Sequence, residues 1–155
     1  GSDVVRYFFI MRGVNSHLNF DLNLAEDQSE KNPVFYLQYA HARICSILHR
    51  AKDYNKKSLK NFDSNLLNKE SELNLLKKIS DFPTVIKNAC TKLEPQSISI
   101  YLNEIASDFH KFYNECKVIS NDSEKTKSRL ALISATKVVL KNGLSILGIS
   151  APEKM

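Results

Sequence analysis

The sequence of 155 residues has no tryptophan, only four glycines and four prolines, and three cysteines. So few glycines and prolines argue against a turn-rich β-sandwich and against a disordered chain. Cys45, Cys90 and Cys116 are widely spaced and form no CxxC pair, which argues against a disulfide framework and against a zinc site. Such cysteines are typical of buried thiols in a reducing compartment, so we expect a cytoplasmic protein.

Long apolar runs are also missing. No run approaches the ~18 residues that a membrane-spanning helix needs, so we expect no membrane association. The first residues, GSDVVRYFF, carry no basic segment ahead of their apolar residues and do not resemble a signal peptide. The chain opens in the middle of a helical pattern, as a fragment of a longer protein would.

Signatures of catalysis are absent as well. The sequence has no glycine-rich phosphate loop and no HExxH, GxSxG or paired-carboxylate pattern. No two of its four histidines are separated by four residues, which argues against a helical histidine pair for a metal. His41 and Cys45 are one helical turn apart, but a buried cysteine beside aromatic residues is the more common arrangement. We therefore expect a binding module with no catalytic residue and no metal site.

The composition suits one soluble globular domain, since 43% of the residues are hydrophobic and 25% are charged. The formal net charge is +5. A moderately basic chain is typical of proteins that bind phosphates or other anionic partners. On charge alone, a basic soluble protein without such a partner is an equally good interpretation.

Apolar residues recur at three- and four-residue spacing and predict an all-α helical bundle with a short N-terminal helix and an extended appendage. The predicted helices cover residues 3–12, 33–50, 64–80, 84–92, 95–116 and 124–147. Residues 19–25, NFDLNLA, alternate polar and apolar and predict a brief extended segment, and residues 52–63 a polar basic connector. Asp3, Asn32 and the NDS at 121–123 are predicted N-caps, and Gly148 a C-cap.

Each long helix has a predicted buried stripe. The stripes comprise Leu37, Ala40, Ile44 and Ile47; Leu66, Leu73, Leu76 and Ile79; Ile98, Tyr101, Leu102, Ile105, Phe109, Phe112 and Cys116; and Leu130, Ile133, Leu140, Leu144 and Leu147. These residues repeat with the helical period, so we expect them to form the core of the bundle.

A second face is predicted on the helix that begins in NPVFYLQYAHARI, residues 32–44. Tyr36, Tyr39 and Arg43 are linked by three- and four-residue steps and lie off the buried stripe. Two tyrosines and an arginine suit a single-stranded RNA loop, whose bases stack on aromatic rings. Alternatively, the tyrosines fill the bundle and Arg43 caps a neighbouring helix. His41 is expected to pack between helices.

Several segments together resemble the C-terminal part of class I arginyl-tRNA synthetases. DVVRYFFIMR and SHLNFDLNLA resemble the end of that family's catalytic core, and NPVFYLQYAHARICSIL resembles the opening helix of its anticodon-binding DALR domain. LEPQSISIYLNEIASDFHKFYNEC resembles the middle of that domain, and SRLALISATKVVLKNGLSILGISAPEKM its last helix and terminal Pro-x-x-Met. The resemblance implies a catalytic-core tail and stem-contact region over residues 1–31 and a DALR-type domain over residues 32–155.

This resemblance implies a function and a partner. Members of the family attach arginine to tRNA(Arg) with ATP and Mg, and the expected partners are the tRNA(Arg) anticodon stem–loop and the catalytic domain of the full-length chain. The residues implied to bind tRNA are Tyr36, Tyr39, Arg43, Tyr113 and Met155. The loop at residues 26–31 resembles one that approaches the anticodon stem–loop.

The sequence departs from the family pattern in two places. It has TKLEPQ where the family usually shows a D-A/S-L-x-P-like start, and the HIGH-like and KMSK-like motifs that bind ATP are absent. We therefore expect no cofactor and no catalysis in this stretch of chain, and a monomer. The alternative is a helical protein–protein interaction module without RNA binding, in which a patch of Phe8, Phe9 and Met11 docks a partner.

Overall fold

The computed structural model describes residues 1–13, 20–52, 54 and 61–155. Its α-helices are α1 (Ser2–Ile10), α2 (Leu22–Glu26), α3 (Pro33–Arg50), α4 (Glu70–Ser80), α5 (Phe82–Lys92), α6 (Gln96–Glu115) and α7 (Ser123–Ile146), with a 3-10 helix at Ser64–Leu66. These described ranges contain no strand, and the all-α prediction is confirmed. Within the same ranges, no helix is long and apolar enough to cross a membrane. Much of the predicted connector at residues 52–63 lies outside them.

Local sequence accounts for the ends of the longest helices. The Asn32 side chain accepts hydrogen bonds from the backbone N–H groups of Val34 and Phe35, and Pro33 occupies the first helical position of α3. Asp122 caps α7 in the same way. Gly148, with φ +68°, follows the last turn of α7 in the left-handed conformation that glycine adopts freely. These predicted caps are confirmed.

The predicted cap at Asp3 is wrong, because α1 begins at Ser2 and places Asp3 in its first turn. The Asp3 carboxylate instead accepts hydrogen bonds from the backbone N–H of Ser150 (3.1 Å) and from the Gln38 side chain (3.1 Å). The residues around Asp3 are the same whether it caps the helix or contacts a distant segment, so the local sequence does not distinguish the two roles. Asp3 therefore joins α1 to α3 and to the C-terminal tail.

The extended segment predicted at residues 19–25 is also wrong where the structure describes it. Residues 22–26 form the helix α2, because the Asp21 side chain accepts a hydrogen bond from the Leu24 N–H at 3.0 Å and caps a single turn. Alternation over so few residues does not distinguish a strand from one helical turn. Asn19 lies outside the described residues.

The predicted stripe of the 64–80 helix needs correction. The α-helix α4 begins only at Glu70, and Leu73 and Leu76 are exposed, whereas Leu75 and Ile79 are buried. Glu72 also points inward, where it binds a buried arginine, and this polar contact sets which face of α4 is covered. The next helix, α5, begins at residue 82, two residues before its predicted start.

The core lies between α3, α4, α6 and α7. All predicted stripe residues of α3, α6 and α7 are buried there, as predicted. Helix α1 packs on α3 and α6 through Tyr7, a fully buried residue whose hydroxyl donates to the Ser99 carbonyl. Helices α6 and α7 approach closely at Gly143, where an added Cβ would lie 2.5 Å from a side-chain carbon of Leu102.

A buried ion pair crosses this core. Arg129 on α7 donates from Nε to Oε1 of Glu72 on α4 at 2.6 Å, with side-chain exposures of 6% and 0%. The other Glu72 oxygen accepts from the backbone N–H groups of Asn68 and Lys69 at the start of α4. Arg129 also donates from Nη1 to the Lys117 carbonyl at 2.7 Å. The pair thus fixes α4, α7 and the segment after α6 to one another.

Candidate nucleic-acid interface

Helix α3 presents its second face toward the end of α6. Tyr39 is 36% exposed, whereas Tyr36 and Arg43 are half-buried. Burial raises the pKa of Tyr36, so its hydroxyl stays protonated over the physiological range. The face that the spacing predicts is therefore present, with Tyr36 at its base and Tyr39 at its surface.

Arg43 lies between two tyrosine rings. Its guanidinium carbon is 5.3 Å from the ring centroid of Tyr39 and 5.1 Å from that of Tyr113 on α6. Both distances are within the range of cation–π attraction. Arg43 Nε is buried and has no hydrogen-bond partner in the described part of the chain. We call Tyr39, Arg43 and Tyr113 the sandwich.

His110 on α6 extends this cluster and is not among the residues predicted from the sequence. Its ring lies 5.0 Å from Tyr36 and 5.9 Å from Tyr39, nearly parallel to the latter at 18°. Burial and then the nearby Arg43 charge lower the pKa of His110, which favours the neutral ring. Its position three residues before Tyr113 is the only local signal, because residues so spaced share a helix face.

Two neighbouring cavities share Tyr39 and Arg43 of the sandwich. The first, of about 540 Å³, is lined by Ser29, Glu30, Phe35, Tyr36, Tyr39, Arg43, His110, Tyr113 and Asn114. The second, of about 450 Å³, is lined by Tyr39, Ala42, Arg43, Cys45, Ser46, His49, Glu153, Lys154 and Met155. All five residues predicted to bind tRNA thus lie around the sandwich, and residues of the 26–31 loop form one rim. Their roles stay predictions.

The C-terminal tail reaches the second cavity because polar contacts fasten it to α3 and α7. Gln38 donates to the Ser150 carbonyl at 3.1 Å, and Nδ1 of His41 donates to the Pro152 carbonyl at 2.8 Å. Lys137 on α7 forms an ion pair with Glu153 at 3.0 Å. Lys137 is therefore already paired within the protein, and its partner holds the tail that ends at Met155.

His41 is fully buried, which agrees with its predicted packing role. Its Nδ1 must carry a proton, because a carbonyl oxygen can only accept. The Cys45 sulfur lies 3.8 Å from this nitrogen, but burial raises the pKa of the Cys45 thiol. The pair is therefore not an activated nucleophile, for which a lowered thiol pKa is needed.

We expect the stability of the protein to fall as the pH drops from 8 to 5.5, in part through His41. Burial lowers the pKa of His41 below its ordinary 6.5, so folding favours the neutral ring. This contribution is complete above about pH 6.5 and is lost as the pH falls toward the lower, folded-state pKa. Urea unfolding measures the free energy of unfolding at pH 8 and at pH 5.5. The difference between these two free energies should be smaller for His41→Gln than for the wild type. The exposed His49→Gln is the control, and an unchanged difference in His41→Gln would contradict the prediction.

The apolar patch of the alternative interpretation is largely dispersed by the fold. Phe8 is only 5% exposed, and its ring lies 5.3 Å from that of Phe20. Met11 is partly buried against the core, which leaves Phe9, 59% exposed, as the exposed member. The prediction that these three residues form one docking patch is wrong, because α1 turns Phe8 inward.

Comparison with known proteins identifies relatives along the whole chain. Curated arginine–tRNA ligases from Listeria monocytogenes and Salinibacter ruber are 51% and 48% identical to it; the alignments cover 100% of this chain and 28% of each relative. The Thermus thermophilus arginyl-tRNA synthetase structure matches 99% of this chain with 26% of its own, at a TM-score of 0.83 and 25% identity. The chain thus spans 28% of the length of these curated relatives.

A family model also matches most of the chain. The model describes the DALR anticodon binding domain and matches residues 37–155, which include α3 from Leu37 onward, α4 to α7 and every residue of the sandwich. The resemblance seen in the sequence motifs is confirmed by this match. The chain belongs to the DALR anticodon binding domain family.

Proposed function

We propose that this chain recognises the anticodon loop of tRNA(Arg) as part of an ATP-dependent arginine–tRNA ligase. The observation that carries the proposal is the sandwich, two tyrosines around an arginine between two open cavities. The curated relatives are arginine–tRNA ligases, and the matching family binds anticodons by its description. The proposal assigns RNA contacts to Tyr36, Tyr39, Arg43, Tyr113 and Met155.

Recognition would begin when loop bases leave their own stack. A base–aromatic stack contributes about 1–3 kcal/mol and tolerates any base, because every base has a π-face. Tyr39, which is 36% exposed, offers such a ring without rearrangement of the core. The two cavities on either side of the sandwich give displaced bases room beside the rings.

Arg43 would supply the charged contacts. A guanidinium presents five donors and pairs with phosphate oxygens or with the acceptor edge of a base. Its two cation–π contacts fix its plane before RNA arrives, which reduces the side-chain entropy lost on binding.

The wider assignment follows the relatives. In the proposed full-length enzyme, ATP and Mg would bind the catalytic domain through motifs that this stretch of sequence does not contain, and these residues would orient the tRNA toward that domain. The division into residues 1–31 and 32–155, the monomeric state and the cytoplasmic location belong to the same proposal. None of the RNA-contact assignments depends on these wider points.

The direct test is binding of the chain to tRNA(Arg) and to a tRNA of another identity at two or more salt concentrations. Anticodon recognition predicts tighter binding of tRNA(Arg) at every salt concentration. The affinity should also fall with salt by about 0.7–0.9 log units per log unit for each phosphate neutralised. Equal affinity for both tRNAs would contradict anticodon recognition, and absent or salt-insensitive binding would contradict RNA binding altogether.

Tyr39→Ala is expected to weaken tRNA(Arg) binding while the circular dichroism of the helices stays unchanged. Loss of one stacking ring costs about 1–3 kcal/mol, which corresponds to roughly a 5- to 150-fold higher Kd. Tyr39→Phe keeps the ring and should bind within a few-fold of the wild type. Leu73→Ala, an exposed position on α4, is the control. Unchanged binding by Tyr39→Ala would remove Tyr39 from the interface, and unfolding would place it in the core.

A further inference from the structure

A third cavity adjoins the sandwich at the end of α6. Of the five residues predicted to bind tRNA, Tyr113 alone lines it. Its volume is about 480 Å³, and its lining residues are Ile47, Arg50, Tyr113, Asn114, Cys116, Lys117, Val118 and Ile119. It shares Tyr113 and Asn114 with the 540 Å³ cavity. The Tyr113 ring therefore stands between two neighbouring cavities, and an RNA strand leaving one could enter the other.

The chemistry of the third cavity differs from that of the other two. Its lining includes two cations and no carboxylate, whereas Glu30 and Glu153 line the other two. Arg50, at the end of α3, and Lys117, after α6, are both exposed. Within the described ranges, neither side chain forms an ion pair or a hydrogen bond. No group in these ranges therefore competes with an anion for their donors.

The floor beneath these cations is apolar and fixed. Ile47, Cys116 and Val118 are buried, and Ile119, 40% exposed, lies at the rim. The segment that carries Lys117 is held by the hydrogen bond from Arg129 to the Lys117 carbonyl at 2.7 Å. The site is therefore largely pre-formed, which limits the entropy that binding must offset.

We infer that this cavity binds a nucleotide flanking the anticodon bases, with its phosphate held by Arg50 and Lys117. The inference rests on the proposed function. An aromatic wall, an apolar floor and a cationic rim match the base, the ribose and the phosphate of one unstacked nucleotide. The contacts to phosphate position the strand and carry no sequence information, whereas the sandwich faces the bases.

The test compares Arg50→Ala, Lys117→Ala and the double variant with the wild type, using tRNA(Arg) and a tRNA of another identity over a series of salt concentrations. Each single variant is expected to bind both tRNAs more weakly by the same factor and to lower the salt slope by about 0.7–0.9, the contribution of one phosphate. The double variant should lower it by about twice that amount. Lys87→Ala, exposed on α5, removes the same charge away from the cavity and is the matched control.

The outcomes separate this inference from the proposed function. If Arg50→Ala and Lys117→Ala keep the salt slope of Lys87→Ala while Tyr39→Ala loses affinity, the third cavity is not a phosphate site and anticodon recognition stands. A change in the ratio between the two tRNAs, instead of in the slope, would also overturn the inference. If the wild type binds tRNA(Arg) and the other tRNA with equal affinity, the proposed function fails as well. Circular dichroism verifies that each variant is folded.

Discussion

Replacing Arg129 by alanine is expected to lower the free energy of unfolding by about 3–5 kcal/mol, because it leaves the Glu72 carboxylate buried without its cation. Glu72 has no exposed side-chain surface and lies 2.6 Å from Arg129 Nε. The substitution also removes the donor to the Lys117 carbonyl. Urea unfolding followed by circular dichroism measures the change.

The double variant Arg129→Met with Glu72→Met is the informative control. Removing both charges avoids an unpaired buried ion, and apolar replacements of buried pairs are often neutral or stabilising. We therefore expect the double variant to be more stable than Arg129→Ala. A loss below about 1 kcal/mol in Arg129→Ala would contradict the prediction, since that is the size typical of an exposed pair.

The Glu72–Arg129 pair should also affect how the stability of the protein depends on pH. Burial alone would raise the pKa of Glu72, but the hydrogen bond from Lys69 N–H and the Arg129 guanidinium outweigh it and hold the pKa below its ordinary 4.5. A lowered folded-state pKa contributes stability that is complete above about pH 4.5 and is lost as the pH falls through the folded value. The wild type should therefore lose more stability below pH 4.5 than Glu72→Gln does.

Phe109→Ala is expected to destabilise the protein by about 3–5 kcal/mol, because it opens a cavity in a core that cannot fully close around it. Phe109 is completely buried, and its ring lies 5.4 Å from that of His110 and 6.1 Å from that of Tyr113. The substitution should also weaken tRNA(Arg) binding under conditions where the variant is still folded, since Tyr113 loses its support.

Chemical unfolding and tRNA titration measure these two effects. Phe109→Leu retains most of the volume and should lose less stability than Phe109→Ala. Phe62→Ala makes the same chemical change at an exposed position and should stay within about 0.5 kcal/mol of the wild type. If Phe109→Ala is as stable as Phe62→Ala, the prediction is wrong, because the core around α6 then closes around the missing ring.

The helices that were predicted best are those whose burial is set by apolar residues alone. On α6, six residues from Ile98 to Phe112 follow the helical period, and all of them are buried, as is Cys116 directly after the helix. On α4, the inward face includes Glu72, whose partner Arg129 is 57 residues away along the chain. A polar residue at such a position is assigned to the surface by any local rule. Its burial depends on a contact that only the folded chain contains.

In the candidate site, too, some residues can be predicted from one helix and others depend on how the helices pack. The spacing of Tyr36, Tyr39 and Arg43 places them on one face of α3, and this was predictable from α3 alone. His110 joins them only because α6 packs against α3, and Arg50 and Lys117 line one cavity only because the segment after α6 returns to the end of α3. Met155 was indicated by the family resemblance and by no physical property of its sequence neighbours.

Half of the tyrosines in this tryptophan-free chain, three of six, line the cavity beside Arg43. Without indole, the ultraviolet emission of the protein comes from phenol rings alone. Tyr7 and Tyr101 lie in the interior and donate to backbone carbonyls. The face around Arg43 therefore carries its own fluorophores, and nucleobases that stack there would quench them without any attached dye.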